Sequence, residues 1–599
     1  MKKFGILFMI LFIVFLTRRG IASEVKFVSQ PNDSLFLRTY CWQFGNQYRP
    51  ILPLDGEWEY KTTEKDPYKK VILPASCDYR GEITFRKIFL TDSTFTNHFF
   101  RLVCYGINYY CRIFINEKFI GSHSGGYSPF TIDIADGVIH VNRKNIIEIE
   151  VDPRLDSKKT IPHQFQPEGV KNTAGIFRSI YLLAIPELSI EEVTVDYQLI
   201  QDFSQCSLAV KFNLKDRMNN THYQDSKKRL LLPLRYYIEI SIKDSDSPIQ
   251  YEWKEIDIQD YVRTRSISAK LNMIQPQLWS PDSPVLYYLR IQLYQGKQII
   301  DQIDQWLGIK QIDFQDGNIY LNGDRFILKG VNWAENYLVR GAIFERKQLL
   351  RDLELVKQLN ANAIRVLNHP AHPMLTALCD SLGLFLLQEI PLDWMPPSRF
   401  VSDIFIGHYT DYLHEIINRD KAHVSVFAWG IGGHLIFGNY QSINLVNRIT
   451  KNINAFNNQY FYIWDSSPLF IDATDSTIIS GISIFNLEKN RIQARLSEWL
   501  TQNSSHPTLV LSYGAPQLGI SSNSTNKALF EEYQALQIIE AWQTITSFAE
   551  VDGYFISSLS DYQGNYPSTI FRSCIDDDLR PFGLTDYYRK KQVAFEKIR

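Results

Sequence analysis

The sequence predicts a multidomain protein in which two antiparallel β-sandwiches precede a C-terminal (β/α)8 barrel. Up to about residue 311, short runs alternate apolar and polar residues and are separated by turn residues, which is typical of antiparallel sandwiches. From residue 312, short apolar strands alternate with amphipathic helices, which is typical of repeated β/α units. At 599 residues the chain is long enough for three domains of this kind.

The first sandwich is predicted over residues 24–188 and the second over residues 189–311. Strands of the first are expected at 83–89, 98–103, 110–115 and 145–151, with turn residues at intervals of roughly 8 to 12 residues. Strands of the second are expected at 206–214, 236–242 and 286–294. The polar segment 218–228 is predicted to form an exposed hairpin loop.

The barrel is predicted over residues 312–599. Its eight strands are expected at 326–331, 363–366, 384–389, 424–429, 461–465, 478–484, 508–511 and 553–556. Helices are expected at 346–359, 374–382 and 530–547. Such barrels carry their working residues at the carboxyl ends of the strands, which makes Asn332, Glu389, His434 and Ser512 candidate site residues.

Composition and charge exclude several classes of protein. The hydrophobic content of 45% excludes a largely disordered chain. With 63 basic and 65 acidic residues, neither nucleic acid nor an anionic membrane surface is indicated as a partner. The seven cysteines lack the spacing of a metal site, so no metal and no other cofactor is expected. Cys104 and Cys111 are candidates for a disulfide on neighbouring strands, although buried free thiols are the favoured interpretation.

The N-terminal segment 1–23 is predicted to be a signal peptide. Two lysines precede thirteen mostly apolar residues at 4–16, and small residues follow near a cleavage site. A membrane-spanning helix needs about 20 apolar residues. We therefore expect export to the periplasm or the extracellular space, with an uncleaved N-terminal anchor as the alternative.

One motif links the chain to a known family. Residues 419–434 read R-D-K-A-H-V-S-V-F-A-W-G-I-G-G-H. This segment resembles the pattern R-D-x-N-H-P-S-V-x-x-W-S-x-G-N-E of glycoside hydrolase family 2, the group of β-galactosidases, β-glucuronidases and β-mannosidases. The resemblance implies that the final Glu of the pattern is the general acid/base. In this chain Gly433 replaces the Asn of the pattern and His434 replaces its Glu. The glycines before His434 are expected to form a loop after the strand.

The second catalytic position departs from the family as well. Residues 506–515 read H-P-T-L-V-L-S-Y-G-A, which resembles the family's P-x-x-x-x-E-Y-G with Ser512 in place of the nucleophilic Glu. The resemblance implies a retaining mechanism, in which two carboxylates about 5 to 5.5 Å apart act together. A serine hydroxyl is a weak nucleophile unless a base activates it.

Further segments carry the resemblance over nearly the whole chain. Residues 54–58, 115–121, 123–130 and 173–178 resemble the family's N-terminal jelly roll, and 278–289 its immunoglobulin-like domain. In the barrel, three segments resemble family motifs but lack several of the family's sugar-facing residues. They are K-G-V-N-W-A-E at 329–335, R-V-L-N-H-P at 365–370 and G-Y-F-I-S at 553–557. By this resemblance, the candidates for lining the cleft are Asn332, Trp333, Glu335, Arg365, Asn368, Glu389, Asp393, Trp394, Trp429, Gly433, Tyr513 and Ser557.

Each catalytic candidate also has a structural interpretation. For Glu389 a structural ion pair is favoured over an acid/base role. His434 is expected to be hydrogen-bonded in its loop, with a role as general acid as the alternative. Asp393 and Trp394 are equally compatible with lining the cleft and with packing.

Three functions stay open at the level of sequence. The favoured one is an exported, catalytically inactive homologue that binds a glycan or a protein partner in its barrel. The second is an active β-glycosidase that uses displaced acids such as Glu389, Asp393 or Asp465. The third is a different hydrolysis by His434 and Ser512 as base and nucleophile. The oligomeric state is not indicated.

Overall fold

A computed structural model describes most of the chain, and its described residues are 25–29, 45–156, 159–162, 169–217, 233–242, 248–256, 266–337, 341–343, 345–394, 402–434, 448, 459–464, 477–517, 527–564 and 579–599. The predicted signal peptide, the hairpin loop 218–228, Asp465, Cys41 and Cys574 lie outside them. Within them, no helix combines the length and the apolar character that crossing a membrane requires.

The N-terminal domain is a jelly-roll β-sandwich, as predicted. Its strands are β1 (Val28–Ser29), β2 (Ile51–Pro53), β3 (Gly56–Lys61), β4 (Lys69–Leu73), β5 (Ala75–Ser76), β6 (Ile83–Leu90), β7 (His98–Cys104), β8 (Ile107–Ile115), β9 (Lys118–Gly126), β10 (Phe130–Ile134), β11 (Lys144–Asp152), β12 (Gly175–Ile176) and β13 (Ile180–Pro186). A sheet in the order β10-β7-β13-β2 faces one in the order β12-β8-β11-β6-β3-β4, with β9 on β8. Alternate residues of both sheets fill the apolar core.

The second domain is a smaller antiparallel sandwich. Its strands are β14 (Leu188–Leu199), β15 (Gln205–Asp216), β16 (Leu234–Ile242), β17 (Pro248–Ile256), β18 (Ser266–Ile274), β19 (Tyr287–Gln295) and β20 (Gln298–Leu307). They form the sheets β14-β15-β18 and β17-β16-β19-β20. One face of each sheet fills a shared core.

A closed barrel of eight parallel strands forms the third domain. A small sheet of β21 (Ile312–Gln315), β22 (Asn318–Leu321) and β23 (Asp324–Arg325) precedes it. The barrel strands are β24 (Leu328–Trp333), β25 (Ala363–Val366), β26 (Phe385–Glu389), β27 (Val426–Gly433), β28 (Phe461–Trp464), β29 (Ile478–Ser483), β30 (Thr508–Tyr513) and β31 (Val551–Ile556). The short strands β32 (Tyr562–Gln563) and β33 (Leu579–Arg580) follow.

The helices of the described part pack around this barrel. They are α1 (Arg346–Gln358), α2 (Pro373–Leu382), α3 (Asp403–Asp420), α4 (Lys489–Gln502), α5 (Lys527–Thr546) and α6 (Val593–Ile598). Glu345 and Gln348 form a capping box that starts α1, and Gly383 in the left-handed conformation ends α2. The predicted helices at 346–359, 374–382 and 530–547 are therefore confirmed within a few residues.

One expectation about the glycine-rich segment is wrong. Residues 430–433 do not open a loop, because β27 continues through them to Gly433 and pairs with β28. The glycines permit this pairing because a Cβ at Gly430 would lie 2.7 Å from the ring of Tyr462. The strand therefore ends at Gly433, next to His434.

Buried ion pairs join the three domains. Arg49 of the jelly roll pairs with Asp301 of the second domain at 2.6 Å. Arg178 of the jelly roll pairs with Glu335 of the barrel at 2.9 Å, and both side chains are fully buried. Because an unpaired charge would be costly at these sites, the pairs favour one arrangement of the domains.

Candidate functional site

The carboxyl ends of the barrel strands bring most of the predicted site residues to one end of the barrel. Asn332 is in register with Arg365 across β24 and β25, and Glu389 is in register with Gly430 across β26 and β27. Gly433 is in register with Trp464 across β27 and β28. We call this end of the barrel the mouth.

Glu389 lies at the centre of a hydrogen-bonded cluster. Its Oε1 accepts hydrogen bonds from Arg365 Nε at 2.7 Å and from the Tyr462 hydroxyl at 2.9 Å, and its Oε2 accepts one from the Asn368 amide at 2.7 Å. The Glu389 side chain is fully buried. Burial raises the pKa of its carboxyl above the ordinary value, and Arg365 opposes that rise. The predicted structural ion pair of Glu389 is confirmed.

Asn332 joins the first and last strands of the barrel. Its Nδ2 donates to the Leu511 carbonyl at 2.9 Å and to the Ser557 hydroxyl at 3.0 Å. Arg365 Nη1 donates to the same carbonyl of Leu511 at 3.0 Å. These polar side chains therefore hold four strands in register at the mouth.

Trp464 occupies the space beside Gly433. A Cβ added at Gly433 would lie 1.8 Å from Cε2 and 1.9 Å from Nε1 of the Trp464 indole. The indole is only 3% exposed, and the guanidinium of Arg365 lies 5.4 Å from its ring centroid. The family's Asn has no room at position 433 while Trp464 keeps this position.

Asp393, His434 and Trp394 form a second cluster at the mouth. Asp393 Oδ1 lies 2.8 Å from His434 Nδ1, and the Trp394 ring stacks on the imidazole at 4.3 Å with an interplanar angle of 11°. Asp393 is buried, whereas 47% of Trp394 is exposed. The carboxylate thus fixes the orientation of the imidazole.

Backbone conformation marks the same region. Asn368, Trp394 and His434 have φ values of 57°, 55° and 46°, in the left-handed region that non-glycine residues seldom adopt. Such residues often gather at functional sites, where the surrounding structure maintains them.

Ser512 lies on β30, where it is half-buried and in register with Ser483 of β29. Its carbonyl accepts a hydrogen bond from the amide of Ile484. Two strands, β28 and β29, separate it from the strand that ends beside His434. That the side chains of Ser512 and His434 both face the mouth, within roughly 10 Å of each other, stays a prediction.

Four of the candidates do not line the mouth. Trp333, Tyr513 and Trp429 are buried among apolar residues outside the barrel strands, because their side chains point away from the barrel axis. Glu335 is fully buried against Arg178. The assignment of these four to the cleft is therefore wrong.

Two residues of the site were not among the sequence candidates. Tyr462 binds Glu389, and Trp464 fills the space at Gly433. Both belong to the predicted strand 461–465, which reads F-Y-I-W-D. The sequence feature that could have identified them is an aromatic residue at the carboxyl end of a barrel strand.

The chain thus consists of two β-sandwiches followed by a closed barrel of eight parallel strands. Comparison with known proteins agrees with this class. The family model described as "Glycosyl hydrolases family 2, TIM barrel domain" matches residues 312–576, and the model "Glycosyl hydrolases family 2" matches residues 188–310. The chain belongs to glycoside hydrolase family 2.

Curated relatives resemble part of the chain. A "Beta-galactosidase" of Thermoanaerobacter pseudethanolicus is 26% identical over 59% of this chain and 45% of its own length. A "Putative beta-glucuronidase" of Formosa agariphila is 27% identical over 57% of this chain and 38% of its own length. The chain thus spans less than half the length of these two relatives.

Solved structures share the fold over most of the chain. The β-D-glucuronidase of Dictyoglomus thermophilum covers 92% of this chain and 96% of its own, with a TM-score of 0.77 and 19% identity. The β-glucuronidase of Ruminococcus gnavus covers 94% of this chain and 98% of its own, with a TM-score of 0.79 and 17% identity.

Proposed function

We propose that this protein is a family 2 homologue that binds a glycan at its barrel mouth without cleaving it by the retaining route. One observation carries the proposal. The indole of Trp464 fills the space beside Gly433, at the strand end where the family's acid/base motif lies. A sugar cannot take the same space while the indole remains there.

The chemistry of the mouth supports the same conclusion. Retaining hydrolysis needs a carboxylate that attacks the anomeric carbon. Ser512 stands at the position that the family resemblance gives to this nucleophile. Glu389 accepts hydrogen bonds from Arg365, Tyr462 and the Asn368 amide, so its carboxylate is held in place by three donors. Because the side chain is also fully buried against Arg365, we assign Glu389 a structural role and not that of the nucleophile.

The exposed surface of Trp394 is the proposed glycan contact. Aromatic rings combine a large apolar face with a rigid side chain, which suits them to pack against the C–H face of a sugar ring. His434 and Asp393 hold this ring from behind. We therefore propose that a glycan packs on the exposed side of Trp394.

Turnover by the purified full chain tests the lack of cleavage. Aryl β-galactosides, β-glucuronides and β-mannosides are incubated with the wild type and with Ser512→Ala. We expect no release of the aryl group above the rate without protein. Turnover that survives Ser512→Ala contradicts the proposal and locates the catalytic groups elsewhere.

Binding is tested separately on a glycan array. The wild type is compared with Trp394→Ala, and Tyr588→Ala serves as control because Tyr588 is 73% exposed in the C-terminal segment. We expect Trp394→Ala to lose the signal that the control retains. Equal signals from both variants would contradict glycan binding at Trp394.

The pairing of Asp393 with His434 favours a second candidate function. An imidazole oriented by a carboxylate is suited to general acid or base catalysis. If His434 acts as a general acid or base, the wild type turns over an aryl glycoside, and this turnover falls in the variants His434→Gln and Asp393→Asn. Turnover of an aryl ester that requires both His434 and Ser512 would instead indicate a Ser/His hydrolase.

We also propose export of the chain through its N-terminal segment. The proposal is supported by the basic start and the apolar run at residues 4–16. N-terminal sequencing of the protein from fractionated cells tests it. A mature protein that still begins at Met1 in the cytoplasmic fraction would contradict it.

A further inference from the structure

The second domain carries an exposed aromatic surface that the barrel site does not use. The sheet β17-β16-β19-β20 turns one face to the core, with Tyr236, Ile238 and Leu289 among its residues. The alternate residues point the other way. We call this opposite side the aromatic face, and its rings are Tyr237, Tyr251, Trp253, Tyr288, Tyr294 and Trp306.

The rings of the aromatic face contact one another across the strands. At one end Trp253 lies 4.8 Å from Tyr294 and 5.8 Å from Tyr237, and Tyr237 lies 6.1 Å from Tyr251. These four residues come from three strands. They form a continuous aromatic cluster on one side of the sheet.

A second pair of rings lies at the other end of the same face. Tyr288 and Trp306 lie 5.0 Å apart on β19 and β20. Tyr288 and Tyr294 are six residues apart on one strand, which corresponds to about 20 Å. Trp306 also packs against the apolar core that the second domain shares with the barrel, so this end of the face is partly covered. The end with Tyr251 and Trp253 is the exposed part of the aromatic face.

Polar side chains fill the space between the two groups of rings. The hydroxyl of Tyr294 donates to Gln292 at 3.0 Å, and Gln292 donates to Gln302 at 2.7 Å. Gln302 donates to Asp304, which also accepts from Arg290 Nε at 2.8 Å. Gln302 is buried, so the half-buried Gln292 and Arg290 are the members of this network that offer hydrogen bonds to hydroxyl groups of a ligand.

Both arginines named on the aromatic face are paired with acids, three acids against two arginines. Arg290 pairs with Asp304 and with Glu239, and Arg235 pairs with Glu255. An anionic polysaccharide or a nucleic acid needs arginines that are not neutralised by neighbouring acids. The balance of charge thus favours an uncharged ligand.

Exposure distinguishes this surface from ordinary sheet packing. Tyr251 is 64% exposed and Trp253 is 46% exposed, although both are large aromatic residues on one strand. Exposed groups of such residues are typical of binding surfaces rather than of a stable sandwich by itself. Their mixture of flat rings and hydrogen-bonding side chains matches the C–H faces and hydroxyl groups of a sugar chain.

We propose that the aromatic face binds an uncharged polysaccharide chain. The exposed rings of Tyr251 and Trp253 stack on its sugar rings, and the side chains of Gln292 and Arg290 meet neighbouring hydroxyl groups. This surface lies in a different domain from the barrel mouth. The proposal is therefore independent of the function proposed for the mouth.

Affinity electrophoresis of the full chain tests this proposal. The native gels contain β-glucan, xyloglucan or galactomannan as uncharged chains, and polygalacturonate as the anionic comparison. We expect at least one uncharged chain to retard the wild type. The double variant Tyr251→Ala/Trp253→Ala should weaken this retardation at least about tenfold, because it removes both exposed rings.

One variant serves as the control for the loss of binding. Tyr588→Ala removes a ring of similar exposure from the barrel domain and should be retarded like the wild type. Trp394→Ala, which removes the ring at the barrel mouth, reports separately on binding at the mouth. Hydrogen–deuterium exchange of the wild type should show protection of residues 248–256 by the polysaccharide that binds, a measurement that depends on no variant.

Several results would overturn the proposal. The proposal is wrong if no uncharged chain retards the wild type, if polygalacturonate alone retards it, or if the double variant is retarded as strongly as the wild type. A change in sedimentation between the double variant and the wild type, with no change in retardation, would assign the face to a second copy of this chain. Loss of retardation in Trp394→Ala alone would locate the binding at the barrel mouth and leave that function standing.

Discussion

The indole of Trp464 lies where a side chain at Gly433 would project, with 1.8 Å between its Cε2 and the position of a Cβ. The two residues are paired at the ends of β27 and β28. This contact explains why glycine suits position 433 in this chain, where the family pattern has Asn. It also fixes an aromatic ring against Arg365 in the mouth.

The first prediction concerns this contact. Gly433→Asn should lower the free energy of unfolding by about 1–3 kcal/mol or more, because the new side chain overlaps the indole. Gly433→Asn/Trp464→Ala should recover part of the loss, since neighbouring substitutions are not additive. Urea unfolding measures both. As control, Gly407→Ala on α3 meets nothing within 4 Å and should not lower stability. A Gly433→Asn variant as stable as the wild type would contradict the contact.

The second prediction concerns restoration of the family's catalytic residues. Gly433→Asn, His434→Glu and Ser512→Glu in one protein should not give turnover of aryl β-glycosides, because Trp464 still fills the space beside residue 433. The aryl release assay checks this. The same triple variant with Trp464→Ala is the comparison, and turnover by the triple variant itself would count against the role of Trp464.

The third prediction concerns the buried pair of Arg365 and Glu389. Glu389→Gln leaves the guanidinium of Arg365 buried without its counter-charge, which should lower the free energy of unfolding by about 3–5 kcal/mol. Asp196→Asn is the matched control, because its pair with Lys211 is about half exposed on both sides and should matter little. Equal losses in the two variants would mean that Glu389 is more solvated than its burial indicates.

The fourth prediction concerns pH. Burial lowers the pKa of His369 to about 3, with Arg178 acting in the same direction. The unfolded chain binds a proton near the ordinary pKa of about 6.5. His369 therefore contributes stability above that pH, and this is lost as the pH falls from about 6.5 toward 3, at about 1.4 kcal/mol per pH unit. Urea unfolding at pH 7 and pH 5 should show a difference of about 2 kcal/mol from this residue.

His369→Phe tests that assignment. The ring of His369 stacks on Tyr127 at 4.3 Å, and phenylalanine preserves a stacked ring without a proton to bind. The fall in stability between pH 7 and pH 5 should become smaller in this variant. The exposed His140→Gln is the control and should keep the dependence of the wild type. An unchanged dependence in His369→Phe would show that other groups cause it.

The fifth prediction concerns the cysteines. Cys77, Cys104, Cys111, Cys206 and Cys379 are buried and unpaired in the structure, which confirms the expectation of free thiols for these five. Burial raises the pKa of Cys111 to about 12 and that of Cys206 to about 11. These thiols should resist iodoacetamide in the native protein and react in urea. Mass spectrometry counts the labels, and a linked peptide of Cys104 and Cys111 from unreduced protein would contradict this.

Much of the fold was predictable because its signal is local. The periodicity of residues 83–89 and 145–151 predicted strands that the structure places side by side as β6 and β11. Apolar runs at 363–366 and 461–465 predicted barrel strands in the same way. The family motif then located Glu389, Gly433 and His434 at the barrel mouth, because strand ends meet there.

The contents of the mouth depended on tertiary structure. Sequence placed 461–465 in a strand, yet it did not show that Trp464 faces Gly433, since that depends on the register of β27 against β28. A register shift between Gly430 and Gly432 sets this pairing. Likewise, the orientation of Trp333 and Trp429 away from the barrel follows from which face of each strand meets the helices. The sequence by itself determined where the strands lie and which residue types they carry. Packing between segments distant in the chain decided the register of the strands and the face to which each side chain points. The two are linked, because a shift of one residue in register turns every side chain of a strand to the other face.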